Sequence, residues 1–265
     1  MGHETELKFI GPEAAVARLQ ASPALQAYSK LQHARTRALK AIYFDTDDLA
    51  LRKAGYVLRV RDEGGRFVQT VKTVNGKSVA TRTEIKSIVR KQTPNIKAID
   101  DDGVRAEIAK LAGRRKLKPI FGTQTRRTTM RIAPEAGSEI EVAFDSGAIT
   151  CGEDELAINE VELELLRGSP SALVACARTL MAGSDLVLSL QSKSERGYVQ
   201  VRQATSLPVT AERVHLPPRA NADEAFGSII AHCLRHMTGN WTAVVDVRDA
   251  EGVHQMRVAL RRLRS

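Results

Sequence analysis

The sequence predicts an α+β protein: a closed, antiparallel, eight-stranded β-barrel forming a tunnel, with flanking helices, then a linker and a partial α-helical domain. Two observations predict it. Five segments alternate charged and apolar residues with period two, which on a strand sends charges to one face and apolar side chains to the other. Beyond residue 221 the pattern changes to apolar residues at helical spacing.

The first segment is Glu4-Thr5-Glu6-Leu7-Lys8-Phe9, in which Glu4, Glu6 and Lys8 share a face. Two carboxylates and an ammonium on a half-buried strand are costly unless compensated. A divalent cation on the carboxylates, with a polyanion on the cation and the lysine, would compensate them; a solvated edge strand of mixed charge is the plainer alternative. The pattern recurs at Arg59 and Arg61, at Arg82, Glu84 and Lys86, at Glu139, Glu141 and Asp145, and at Glu160, Glu162 and Glu164. A sheet with its apolar face outward against helices and its charged face inward closes into a barrel with a polar bore. An antiparallel sheet with one wet face shows the same alternation, although it more often mixes in Thr, Ser and Gln than stacks three glutamates.

In chain order, strands are expected near 3–10, 39–45, 56–62, 66–73, 79–89, 122–133, 138–145 and 157–167, with a short one at 186–190. Asp62-Glu63-Gly64-Gly65 is a hairpin signal between two of them. A helix begins near Pro12 with Ala15, Val16 and Leu19 on one side. Residues 100–112 form a second, with Val104, Ile108 and Leu111 aligned and Gly113 as its stop. A third starts at Ser169-Pro170 and buries Leu173, Val174, Ala177 and Leu180.

Residues 203–221, with Pro208, Pro217 and Pro218 and little apolar periodicity, read as a linker between a domain of residues 1–202 and a helical segment of residues 222–265. In that segment Phe226, Ile229, Ile230, Cys233, Met237 and Trp241 line one helix, and Val253, Met256, Leu260 and Leu263 line another. Beside the second stripe, His254, Arg257, Arg261 and Arg264 fall on one ridge. Such a ridge suits phosphates held along a helix flank, or is a solvated basic face. Two helices cannot hide this much apolar surface, so the chain is expected to stop inside a larger helical domain.

Composition narrows the partners. The 265 residues suit one large or two medium domains. With 40 Lys and Arg against 31 Asp and Glu, the net charge of +9 favours an anionic ligand. Aromatic residues make up only 4% and do not interleave with the basic ones, so stacking on bases is poorly supported; phosphate itself is the expected target and nucleic acid is not. Cys151, Cys176 and Cys233 are scattered and suggest neither a zinc site nor a disulfide framework. No stretch has membrane length and no signal peptide is evident, so a cytoplasmic protein without a membrane partner is expected. The oligomeric state is left open.

The ordered set Glu4-x-Glu6-x-Lys8, Tyr43-Phe44-Asp45-Thr46, Leu58-Arg59-Val60-Arg61, Thr70-Val71-Lys72, Arg82-x-Glu84, Arg126-Arg127, Glu139-x-Glu141, Glu160-x-Glu162-x-Glu164 and Ser192-Lys193…Arg196-Gly197-Tyr198 resembles CYTH domains, the triphosphate tunnel metalloenzymes, over roughly residues 1–200. The tail, with Val253-His254-Gln255-Met256-Arg257-Val258 and Arg261-Arg262-Leu263-Arg264, resembles the start of a CHAD domain, a helical domain linked to polyphosphate.

The resemblance implies metal-dependent hydrolysis of inorganic triphosphate to pyrophosphate and phosphate inside the tunnel. Lys8, Arg59, Arg61, Lys72, Arg82, Arg127 and Lys193, with Arg196, would grip the triphosphate or a short polyphosphate. Arg127 is preferred over Arg126 because it shares parity with Thr129 and Arg131. Glu4 and Glu6, with Glu162 and either Glu160 or Glu164, would hold Mg²⁺ or Mn²⁺. Glu4, Glu6, Lys8 and Glu141 would be the catalytic set, Glu141 partly holding a second ion that activates the water, and Glu84 would orient an arginine. His254, Arg257, Arg261 and Arg264 would bind polyphosphate. A non-catalytic polyphosphate-binding module, and a CYTH enzyme acting on thiamine triphosphate or on ATP, including an adenylate cyclase, are the alternatives. The motif strands show no obvious aromatic clamp for an organic substrate, which favours the inorganic one.

Overall fold

The computed structural model describes residues 5–73, 84–189, 191–201, 208–214, 216, 220–245 and 248–265. They fall into two compact units, one of residues 5–73 and 84–189, the other of the described residues from 191 onward. Glu4 and Arg82 lie outside the described residues.

The first unit is built on one antiparallel sheet. Its strands are β1 (Glu6–Ile10), β2 (Ser29–Asp45), β3 (Tyr56–Asp62), β4 (Phe67–Thr73), β5 (Glu84–Val89), β6 (Lys118–Ala133), β7 (Glu139–Cys151), β8 (Asp154–Arg167) and β9 (Val187–Leu188), in spatial order β5-β4-β3-β2-β6-β7-β8-β1-β9. This corrects the expected eight strands to nine. The ninth is the two-residue β9, within the short strand expected at 186–190, where the chain runs along β1 and Ser189 N–H donates to the Lys8 carbonyl at 2.8 Å. No ladder joins β5 to β9 among the described residues. β2 and β6 run well beyond the expected 39–45 and 122–133. The extra length of β2 pairs with β6 across register shifts at Lys30/Gln32 and Gln32/Arg35, and residues 33–38 are exposed, so no hydrophobic alternation announced it.

One face of the sheet is apolar and lies under helices. Phe9, Val142, Phe144, Val161 and Leu163 pack with Val16 and Leu19 of α1 (Glu13–Gln20), Leu25 of α2 (Pro23–Gln26) and Leu173 and Leu180 of α5 (Pro170–Met181). Phe44, Leu58, Val60 and Val71 pack with Leu51 of α3 (Ala50–Lys53) and Ile108 of α4 (Asp102–Ala112), preceded by a 3₁₀ turn at Ile96–Ala98. Asp101 caps α4 and Ser169 caps α5, each accepting from the backbone N–H three residues on.

The Tyr43-Phe44-Asp45-Thr46 motif has a structural task. The fully buried Asp45 carboxylate accepts from the backbone N–H groups of Thr46 (2.7 Å), Leu51 (2.9 Å) and Arg52 (3.0 Å), tying α3 to the end of β2. At Gly147 of β7 the backbone passes so near β6 that a Cβ would lie 2.0 Å from the Gln124 carbonyl oxygen.

The second unit comprises α6 (Lys193–Val201), α7 (Ala222–Gly239), α8 (Trp241–Val245) and α9 (Ala250–Arg264). The Ser192-to-Tyr198 motif is thus helical, started by Ser192 Oγ and Glu195, which cap each other's backbone N–H groups. Asn221 and Glu224 form a capping box for α7. α7 and α9 bury only part of the expected apolar stripes: Cys233 is buried, but Phe226 is 66% exposed, Val253 and Leu260 are also exposed, and Trp241 opens the separate α8. The buried positions are Cys233 and His236 on α7 and Gly252, Gln255 and Ala259 on α9. Close approach is the reason, since a Cβ on Gly252 would lie 2.8 Å from that of Ala243. His236 Nε2 and Gln255 Oε1 are 3.0 Å apart, and Gln255 Nε2 donates to Glu251 at 2.6 Å. Part of the expected linker is anchored: the buried Asn240 amide accepts from Val209 N–H and donates to its carbonyl, both at 2.9 Å. No helix among the described residues is long and apolar enough to cross a membrane.

Gly147→Ala is expected to cost more than about 2 kcal/mol of unfolding free energy, because the collision is with backbone. Gly137→Ala, where nothing lies within 4 Å, tests left-handed strain alone at φ +81° and is expected to cost about 1 kcal/mol. Urea unfolding of the two variants checks the difference.

Candidate active site

Directly opposed residues of an antiparallel ladder share a face, so the registers map the other side of the sheet row by row. Glu6 stands opposite Glu164, Glu164 opposite Glu141, and Glu141 opposite Arg131. The next row runs Lys8, Glu162, Ala143, Thr129, Arg35. The row after that runs Glu160, Asp145, Arg127, Arg37. Further along, Tyr43 faces Arg59, Arg59 faces Thr70, and Thr70 faces Lys86, while Lys72 faces Glu84. One face therefore carries Glu6, Lys8, Arg59, Arg61, Lys72, Glu84, Arg127, Glu141, Glu160, Glu162 and Glu164. Arg126 is exposed on the other side.

The charged face is buried at its middle, where Glu160 is 0%, Asp145 1% and Lys8 8% exposed, and open at Arg35, Arg37 and Lys86. The charges neutralise one another. Arg127 grips Asp145 with both ends of its fork, Nε to Oδ1 at 2.8 Å and Nη2 to Oδ2 at 2.6 Å, and Nη2 also donates to Glu162 Oε2. Lys8 Nζ lies 3.3 Å from the other Glu162 oxygen. Burial alone would lower the pKa of Arg127, but Glu162 and Asp145 outweigh it and hold the guanidinium well above its ordinary value. Arg131 reaches Glu139 at 3.1 Å and Glu141 at 3.5 Å, and Glu84 pairs with Lys72 and with Lys86, the latter at 3.2 Å. Among the described residues the partners of Glu84 are thus lysines, where an arginine was expected.

Arg61 titrates in the opposite direction. Burial, then the like charge of Arg59, lower its pKa; Glu63 opposes them with an ion pair, and Arg127 adds to the lowering. Arg59, Arg61 and Arg127 therefore form one cationic neighbourhood. Arg59 Nε is buried with no hydrogen-bond partner among the described residues, a donor arrangement that suits an anion.

The oxygens of Asp145, Glu160 and Glu162 lie within 4.8 Å of one another. Three carboxylates at that spacing are a donor set that fits a hard divalent cation such as Mg²⁺ or Mn²⁺. Of the five glutamates expected as ligands, Glu160 and Glu162 join this cluster and Glu6 and Glu164 stand opposite each other on β1 and β8. Asp145 was not among them, although its parity with Glu139 and Glu141 was visible. Glu63, Arg35 and Arg37 were also missed; Glu63 sits in the hairpin turn, and the two arginines lie in the exposed part of β2.

Two aromatic rings occupy the same face. Tyr43 and Phe121 stack with centroids 4.3 Å apart beside the Arg59 row, and both are buried, so neither offers an open face to a base. Lys193 and Arg196 lie three residues apart on α6, within the second unit. His254, Arg257, Arg261 and Arg264 are exposed along α9.

The CYTH domain family matches residues 2–198 and the CHAD domain family residues 228–265. The inorganic triphosphatase of Haemophilus influenzae is 34% identical over 204 residues, which are 75% of this chain and 55% of that protein, so the chain spans about half the length of the relative. Among solved structures, HpAC1 from Hippeastrum, a protein with a dominant triphosphatase activity, is 19% identical, with a TM-score of 0.49 over 77% of this chain and 96% of that one. The inorganic triphosphatase NE1496 is 17% identical, with a TM-score of 0.26 over 66% and 80%. With the match running through all nine strands and the charged face they carry, the chain belongs to the CYTH domain family.

Proposed function

We propose that this chain hydrolyses inorganic triphosphate to pyrophosphate and phosphate, with Mg²⁺ or Mn²⁺, inside a sheet closed into a tunnel. The carrying observation is a buried face on which a three-carboxylate cluster adjoins the Arg59, Arg61 and Arg127 cations. With the apolar face under helices, the charged face of an open sheet would be wet; turning it inward accounts for its burial. The inorganic triphosphatase relative, 34% identical, supports the same substrate.

Asp145, Glu160 and Glu162 would hold the first ion, with Glu6, Glu164 and Glu141 as donors for a second. A bound divalent ion supplies charge neutralisation on phosphate oxygens and a more acidic water. Lys8, Arg59, Arg61, Lys72 and Arg127, with Arg82, would grip the phosphates and keep the terminal phosphorus in line with the attacking water. Because Tyr43 and Phe121 are buried against each other, an organic triphosphate gains no stacking surface from them. We assign residues 1–202 to the tunnel domain, 203–221 to a linker and 222–265 to a CHAD-like helical fragment whose His254, Arg257, Arg261 and Arg264 ridge binds polyphosphate.

Phosphate release from inorganic triphosphate, with ATP and thiamine triphosphate in parallel, tests this. Turnover is expected only with Mg²⁺ or Mn²⁺, and is expected to vanish in chelator. Glu162→Gln is expected to lower kcat roughly 100-fold or more. Metal-independent binding of polyphosphate with no turnover would sink the enzyme reading; preferential cleavage of ATP or thiamine triphosphate would move it to an organic substrate. Separately, Arg59→Ala and Arg61→Ala are each expected to raise KM for triphosphate roughly 10- to 100-fold by removing a charge-assisted contact. Steady-state kinetics on the folded variants check this, and an unchanged KM would place the phosphates elsewhere.

A further inference from the structure

Arg127 Nη2 donates to both Asp145 Oδ2 and Glu162 Oε2, so it lies between two of the three clustered carboxylates. That is the place an ion shared by those carboxylates would take. Both Asp145 oxygens are engaged by the same guanidinium, and Lys8 engages the remaining Glu162 oxygen. A hard cation needs carboxylate oxygens at about 2.0–2.6 Å and is repelled by a guanidinium holding the same atoms. On the same face, Arg59 and Arg61 stand two residues apart opposite Tyr43 and Ala41 of β2, the strand on which Arg37 faces Arg127.

We propose that Arg127 is a built-in counter-ion that a divalent cation displaces from Asp145 and Glu162, and that the released guanidinium then joins Arg59 and Arg61 on the phosphate chain. This rests on the metal-dependent reading above. While the site lacks metal, Arg127 neutralises carboxylates that could not otherwise stay charged and buried. Once metal is bound, the same side chain is free for substrate. Metal and triphosphate then strengthen each other's binding by an equal factor, because both draw on one displaced arginine.

The test is Mn²⁺ affinity, read from the electron paramagnetic resonance signal of free Mn²⁺ without substrate, on wild type, Arg127→Gln, Arg127→Lys and Arg126→Gln. Arg126→Gln removes the same charge from the exposed side of the same strand. Arg127→Gln is expected to lower the Mn²⁺ dissociation constant at least tenfold, and Arg126→Gln to leave it unchanged. If circular dichroism shows that Arg127→Gln does not fold, Arg127→Lys decides: it keeps the charge without the two-pronged grip and is expected to tighten Mn²⁺ several-fold. Wild type that binds Mn²⁺, with folded Arg127 variants that bind it equally or more weakly, overturns the proposal and leaves the metal site standing. Equal tightening in Arg126→Gln also overturns it, because net charge would then be the cause. An absence of Mn²⁺ binding in every protein overturns the metal reading and the proposal together.

Discussion

Carboxylates removed from water must be neutralised where they stand, and the first unit is organised around that requirement. Asp145 and Glu160 on neighbouring strands are almost wholly buried, and Arg127 on the next strand is gripped between Asp145 and Glu162. Unpaired, such charges would cost several kcal/mol each. The pairing depends on uninterrupted register between β6, β7 and β8 from Arg131 to Thr123, so strand alignment and site chemistry are one constraint. A slip of one residue would send Arg127 to the opposite, apolar face and leave Asp145 alone.

The same alternation divides labour between the two sides of the sheet. Leu58, Val60, Val71, Phe144, Val161 and Leu163 leave the charged residues between them and pack under five helices and a short turn. Motif residues then separate into two kinds. Arg59 and Arg61 serve the charged face, whereas Asp45, in an equally recognisable motif, holds the N–H groups of α3. Its burial and full hydrogen bonding explain its place without any contact to substrate.

The helical unit follows a different rule. Its helices meet through small and polar residues: Gly252 against Ala243, His236 with Gln255, and Asn240 with the Val209 backbone. Hydrogen-bonded polar seams of this sort fix register between helices, because misalignment would strand buried polar groups. The larger apolar side chains, Phe226, Val253 and Leu260, face outward in the described residues.

By itself the sequence determined the strand faces, three of the five helices that cover them, the helical character of the tail and the choice of Arg127 over Arg126, because parity and helical spacing are local properties of the chain. It could not determine which glutamates meet. Asp145 joins Glu160 and Glu162 only through the β7–β8 ladder, and Glu63 reaches Arg61 only through a turn without periodicity. The exposed length of β2 had no alternation to announce it. Apart from Cys233, the buried positions of α7 and α9 escaped the hydrophobic pattern, because hydrophobicity cannot foresee that a glycine and a glutamine allow closer approach than a leucine. Those outcomes depend on distances between segments far apart in the chain, and only the tertiary structure decided them.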